Sequence, residues 1–288
     1  MPQTLRLRKL GKELNALRTA AKISDQRAAD ELGCSAAKIR HIESGRNAAR
    51  KAELKVLLDL YGAEPEVYEP LEELRREGAQ RGWWATYGLP VWLQAYVGME
   101  NEATEIRVFE LESVTALLQT REYARAIHEQ LETEAVNKMV DARIRRQSIL
   151  TKAAPVKLRV TMSESAIRRA AVIPDGGAEQ LRHLITMSRK PNVDLRILPF
   201  SAGLHPSMSG SFHLLRFDPE VSPPAAYQEY AVGGHLVDED SVVATLDGVF
   251  ETATASALGA RDSVRLIERI AREAETGRGN ERSKVAKE

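Results

Sequence analysis

Residues 24–45 read SDQRAADELGCSAAKIRHIESG, and no other stretch of the chain restricts the fold as tightly. Ser24 can cap a helix by accepting a hydrogen bond from a free N–H of its first turn. Ala28, Ala29 and Leu32 then recur at helical spacing, and Gly33 ends the run where a left-handed residue costs least. Cys34 sits in the turn as a small residue expected to be buried. Ser35 can cap a second helix with Ile39 and Ile42 as its buried stripe, and Gly45 closes it. Neither serine has Glu or Gln three residues on, so neither begins a full capping box. Leu10, Leu14, Leu17 and Ala21 form an apolar stripe upstream, and Leu54, Leu57, Leu58 and Tyr61 form one downstream. The expectation is a bundle of four to five helices within residues 1–75.

Two short helices joined by a tight turn, the second of them basic, make a helix-turn-helix, the shape that seats one helix in the DNA major groove. The stretch resembles the XRE-type, phage-repressor-like helix-turn-helix family. The matching residues are Arg18, Ile23, Ser24, Ala29, Leu32, Gly33, Ser35, Ile39, Ile42, Glu43 and Gly45, across residues 6–62. The resemblance implies that the second motif helix is the recognition helix. Its outward positions would be Ala36, Ala37, Lys38, Arg40 and His41, facing base edges or phosphates. Arginine can grip a guanine edge bidentately, and alanine suits a thymine methyl. Arg46, Asn47 and Arg50 in the following loop are expected to contact phosphates. Ser24, Gln26 and Ser35 complete the predicted DNA-binding set. The family often has Gln at the start of the first motif helix, where it binds a phosphate. Here that position is Asp25, which repels one. The resemblance also implies a structural ion pair between Arg18 and Glu43.

Charge separates this head from the rest. Residues 1–61 carry thirteen Lys/Arg against seven Asp/Glu, a net +6, whereas the whole chain is neutral at 41 against 41. A basic head on an acidic body is the asymmetry of a nucleic-acid module with a regulatory partner domain. A plain helical bundle with a solvated basic face is the competing reading.

At 288 residues there is room for two domains. No apolar run is long enough to span a bilayer, and the N-terminus lacks the apolar core of a signal peptide. A single cysteine excludes an intramolecular disulfide. A cytoplasmic, nucleoid-associated protein without membrane contact is expected. Residues 64–80 look like a helical connector. The stretch RGWWATYGLPVWLQAY (81–96) then holds all three tryptophans. Rings at that density must be buried, by docking on the second domain, in a dimer interface or as a ligand wall. The expected organisation is 1–75 head, 76–97 aromatic connector, 98–275 regulatory and dimerisation domain, and 276–288 disordered tail.

The second half reads as α+β. Helices are predicted at 101–118, 122–131, 135–152, 164–170, 177–189, 241–257 and 261–274. Strands are predicted at 156–162, 193–198, 211–217 and 226–232, with Gly233-Gly234 as a hairpin turn. Clean βαβ alternation is absent, so a small antiparallel or mixed sheet packed by helices is expected. The segments LLQTREYARA (117–126), RIRRQSIL (143–150), SESAIRRA (163–170), AEQLRHL (178–184), NVDLRILPFSAGLH (192–205) and SGSFHLLRF (209–217) resemble the C-terminal domain of the actinobacterial WhiJ-like regulators. Two positions depart: Thr115-Ala116 replaces Pro-Gly, and Ser163 replaces an acidic residue. The resemblance implies an XRE-type head, transcriptional regulation and a small neighbour-encoded partner protein.

No HExxH, Cys/His cluster or phosphate-binding Gly loop with Lys-Ser/Thr occurs, so no metal, no cofactor and no enzymatic activity are expected. The Ser/His-rich loop 200–212 and the basic group Arg143, Arg145 and Arg146 are read as a connection and a solvated or ion-paired helix face. The committed reading is a homodimeric, sequence-specific regulator on a double-stranded operator. An antitoxin-like protein that sequesters a small partner, or a ligand-responsive repressor, remain the alternatives.

Overall fold

A computed structural model of the chain describes residues 5–78, 82–128, 133–174, 176–219 and 221–285, with side chains to Thr276. It divides into two compact units. The first runs to Glu102 and includes Phe217–Pro223; the second holds Ala103–Arg216 and continues from Pro224.

In the first unit, α1 (Leu5–Ala20), α2 (Asp25–Leu32), α3 (Ala36–Glu43), α4 (Lys51–Tyr61) and α5 (Tyr68–Gly78) enclose one apolar core. Leu10, Leu14, Ala28, Ala29, Ile39, Ile42, Leu54, Leu57 and Leu58 are buried in it. Ala21 lies past the end of α1 and is exposed, so the first stripe stops at Leu17. Residues 64–80 do more than connect. Pro65 opens a single 3-10 turn, and α5 sends Leu71 into the head core and packs along α1. Residues 79–81 lie outside the described residues. The aromatic segment leads into α6 (Val91–Glu102), and Trp84 is buried within this unit, its ring filling the space beside Gly82 and Gly98.

The second unit is built on six strands: β1 (Glu105–Glu110), β2 (Lys157–Ser163), β3 (Val193–Leu198), β4 (Phe212–Arg216), β5 (Ala225–Tyr230) and β6 (Gly233–Val237). Their order is β3-β2-β1-β4-β5-β6. The pairs β1–β2 and β2–β3 are parallel, and the other three are antiparallel. The helices are α7 (Arg121–Ile127), α8 (Thr133–Arg146), α9 (Glu164–Ala171), α10 (Gly177–Met187), α11 (Asp240–Ser256) and α12 (Ala260–Val285).

Two sequence expectations change here. The predicted helix at 101–118 is a strand over Glu105–Glu110. EIRVFE carries β-branched and aromatic residues that suit a pleated surface. Its place between β2 and β4 supplies ladder bonds on both edges, and that tertiary pairing overrides helix propensity. The predicted Gly233-Gly234 turn is shifted. Tyr230 pairs with Gly233, so Ala231 and Val232 form the turn and the glycines open β6. A side chain at Gly234 would meet the Tyr227 hydroxyl at 2.4 Å. At the C-terminus the backbone continues as helix to Val285 where a disordered tail is expected from 276. Residues 277–285 are rich in Arg, Glu and Lys, which favour helix without needing burial.

α11 lies on the sheet through charge as well as apolar contact. The Arg159 and Arg107 guanidiniums sit 5.1 and 6.0 Å from the Phe250 ring centroid. They pair with Glu251 at 2.6 and 2.8 Å, and Arg107 also meets Asp247 at 2.7 Å.

The segment between β1 and α7 has no regular ladder, yet Val114, Thr115, Leu117 and Leu118 are each at most 1% exposed. Side chains satisfy its backbone. Gln180 Nε2 donates to the Leu118 carbonyl and its Oε1 accepts from Thr120 N–H, both at 2.7 Å. Gln147 donates to the Gln119 carbonyl at 2.7 Å, and Gln119 Nε2 donates to Val114 O at 2.6 Å. The Tyr123 hydroxyl accepts from Val114 N–H at 3.0 Å. Three of the recurring segments noted above, LLQT, RIRRQ and AEQ, meet in this one polar knot.

Candidate nucleic-acid interface

Ser24 and Ser35 sit in extended backbone at the starts of α2 and α3, and their hydroxyls accept from the Arg27 and Lys38 N–H groups at 3.1 and 3.3 Å. Gly33 takes φ 62° and ends α2, so the turn to α3 is as short as the sequence suggests. Cys34 is half-buried against the head core.

The end of α3 is locked to α1 by close backbone approach. A Cβ on Gly11 would lie 2.3 Å from the Glu43 carbonyl, and one on Gly45, at φ +71°, would lie 2.7 Å from the Arg8 backbone. This brings the Glu43 side chain, 5% exposed, under α1. Arg18 donates to it through Nε at 2.7 Å and Nη2 at 2.9 Å, and Asn15 adds a third bond at 2.8 Å. Arg18 Nη1 donates to the Ile23 carbonyl at 2.8 Å, so the same guanidinium holds the turn into α2. The Glu43 bond holds the guanidinium above its ordinary pKa against the opposing cost of burial. Burial foremost, with the Glu43 charge, pushes the Tyr61 phenol up.

Ala37, Arg40, His41, Arg46, Asn47 and Arg50 are exposed, as are Ser24, Gln26 and Ser35. Ala36 is half-buried and packs on the head core, because the first turn of α3 bends inward there. It therefore offers less surface than an outward position. Gln26 donates to Asp30 at 2.8 Å along α2. Asn47 N–H bonds the His41 carbonyl at 3.0 Å, which folds the loop back on α3.

The two cations of the recognition helix are already paired. Lys38 Nζ meets Glu53 Oε1 at 2.6 Å, and Arg40 Nη1 meets Asp25 Oδ2 at 2.5 Å. Glu53 also accepts from the Arg50 N–H at 2.8 Å, tying α3 to the start of α4. Burial pushes the Glu53 carboxyl up, but the Arg50 N–H and Lys38 together hold it below its usual value. The Arg40 bond foremost, with the Gln26 N–H, lowers Asp25. Sequence reasoning missed both acids as partners, since it weighed Asp25 only against a phosphate. The Arg46 and Arg50 side chains have no carboxylate at ion-pair distance among the described residues.

In the second unit, Ser207 Oγ and His205 Nδ1 are buried and each lacks a hydrogen-bond partner, so they do not form a nucleophile–base pair with one another. Arg146 is 5% exposed and Arg143 donates to Gln119 at 3.0 Å, so these arginines serve the interior instead of a solvated face.

Residues 93–269 match the family described as Domain of unknown function (DUF5753). The chain belongs to the DUF5753 family. Residues 9–71 of this DUF5753 protein match a Helix-turn-helix domain. The match covers α1 to α4 and most of α5, and it makes the protein a DNA-binding regulator with an XRE-type head. No curated protein and no solved structure matches it. Among the described residues, no helix is long and apolar enough to cross a membrane.

Proposed function

We propose that this DUF5753 protein is a sequence-specific transcriptional regulator that binds a near-palindromic operator as a homodimer. In this reading α3 enters the major groove, with half-sites about one helical turn apart. One observation carries it: a doubly serine-capped helix pair presents Arg40 and His41, with Arg46, Asn47 and Arg50 exposed in the loop that follows. Lys38 and Arg40 read or neutralise the groove edge, Ala37 offers a methyl, and the loop residues grip phosphates. Its place of action is the nucleoid, and the segment series in the second unit supports kinship with the WhiJ-like regulators. Genome-wide binding-site mapping, followed by anisotropy on the recovered duplexes, tests the reading. Arg40→Ala should cost about 1–3 kcal/mol of binding if it reads a base. Equal binding by wild type and by Lys38→Ala/Arg40→Ala would remove α3 from the interface.

The second unit fits the receipt of a partner protein. Phe200, Leu204 and Met208 are 60, 89 and 54% exposed within one short stretch. Exposed apolar groups at that density mark interaction surfaces. A nearby cleft of about 660 Å³ is lined by Glu164, Asp262, Arg265, Glu268, Arg269 and Arg272 with a few apolar groups. That lining suits a charged polypeptide better than an apolar effector. The antitoxin-like reading rests on the same surface and is compatible with operator binding.

A further inference from the structure

The cations on and after the recognition helix divide into two classes. Arg46 and Arg50 have no ion-pair partner among the described residues, whereas Lys38 and Arg40 are each held by a carboxylate from another helix. An ammonium is a point charge with no fixed fork, so its pairing with Glu53 mainly anchors α3 to α4. A guanidinium is different. It is planar, and its two edges can be used separately.

We propose that Asp25 is a specificity-determining residue of the DNA-reading surface: it holds Nη1 of Arg40 and thereby aims the free Nε–Nη2 edge at O6 and N7 of a guanine. The inference rests on the DNA-binding reading above and adds to it a base and a positioning residue. Arg40 is the fifth residue of α3 and its side chain is 60% exposed, so without a partner it would sample many rotamers and fall readily onto the nearest phosphate. The 2.5 Å contact to Asp25 Oδ2 removes that freedom. Asp25 is itself fixed. It is the first residue of α2, follows the Ser24 cap, and bonds the Gln26 N–H at the positive end of the helix dipole. Its charge also opposes phosphates, so it weakens binding to any duplex that offers no guanine to Arg40. Both effects raise the ratio of specific to non-specific binding, which is the quantity selection acts on.

The test is selection from a randomised duplex library with the full-length protein, comparing wild type, Asp25→Ala, Asp25→Asn and Arg40→Ala. Head folding is monitored by tryptophan fluorescence, since Trp83, Trp84 and Trp92 all lie in the first unit. The wild-type motif should contain one guanine per half-site whose preference Arg40→Ala erases. Asp25→Ala should lower the preference at that same position about tenfold while raising affinity for random duplex. Asp25→Asn, which keeps an acceptor without the charge, should fall between. The proposal is overturned if Asp25→Ala keeps the guanine preference whatever it does to total affinity. It is equally overturned if all positions relax together with a lowered head melting point, or if Arg40→Ala changes no position. A wild type that selects no site removes the DNA-reading assignment itself, a separate failure.

Discussion

Replacing Arg18 by Met strips a buried carboxylate of its cation. Glu43 accepts three N–H bonds, two of them from Arg18, and its side chain is only 5% exposed. The variant leaves that charge with the neutral Asn15 amide alone and also frees the Ile23 carbonyl. Losing one partner of a buried pair costs about 3–5 kcal/mol. Against a whole-domain stability of about 5–15 kcal/mol, the head would lose a third or more of its margin. Substituting both partners is a different perturbation. Arg18→Met/Glu43→Leu removes the charge together with its desolvation cost and should lie near wild type or above it. Urea unfolding followed by tryptophan fluorescence isolates this effect, because every tryptophan is in the first unit. The reasoning fails if Arg18→Met lies within about 1 kcal/mol of wild type, the ceiling for an ordinary surface pair. It also fails if the double variant is no better than the single one.

Three further outcomes are expected. Gln180→Leu removes two bonds and leaves the Thr120 N–H and Leu118 carbonyl buried and unpaired. It should cost about 2–5 kcal/mol in calorimetry of the second unit, with the tryptophan transition unmoved; an unchanged calorimetric profile refutes it. Burial, helped by the Arg143 charge, holds the His128 imidazole down to about 4 from 6.5. A depressed histidine contributes stability that is whole above pH 6.5 and is lost as pH falls toward 4. His128→Leu should therefore flatten the acid limb between those values in denaturation series, and parallel limbs would count against the assignment. Arg46→Ala and Arg50→Ala should each weaken operator binding uniformly across sequences and reduce the log–log salt slope by about 1. A change confined to one base position would make either residue a base reader.

The head was legible because its signals are local. Ser24, Gly33 and Ser35 mark boundaries in the residues themselves, and the Leu10–Leu14 and Leu54–Leu58 stripes declare which faces meet. The mixed α+β character of the second half was equally visible in its alternation. What escaped depends on distance between elements. EIRVFE is short and charged at both ends, and only its neighbours β2 and β4 make it a strand. The Arg40–Asp25 pair joins residues fifteen apart in sequence, through an angle between two helices that no periodicity encodes. Ala36 was misread for a related reason, since the inward tilt of a first turn is a property of packing.

The knot around Gln119, Gln147 and Gln180 has a consequence for how this chain tolerates change in length. Surface connections ordinarily accept extra residues, because water satisfies whatever backbone groups are displaced. Between β1 and α7 the path is that of a loop, but each carbonyl and amide meets a particular amide side chain fixed on a distant helix. One inserted residue would slide the whole series out of step with its partners, as it would in a strand. In linker-scanning mutagenesis residues 113–120 should therefore behave as a zone closed to insertion, inside a stretch that secondary structure alone would mark as open.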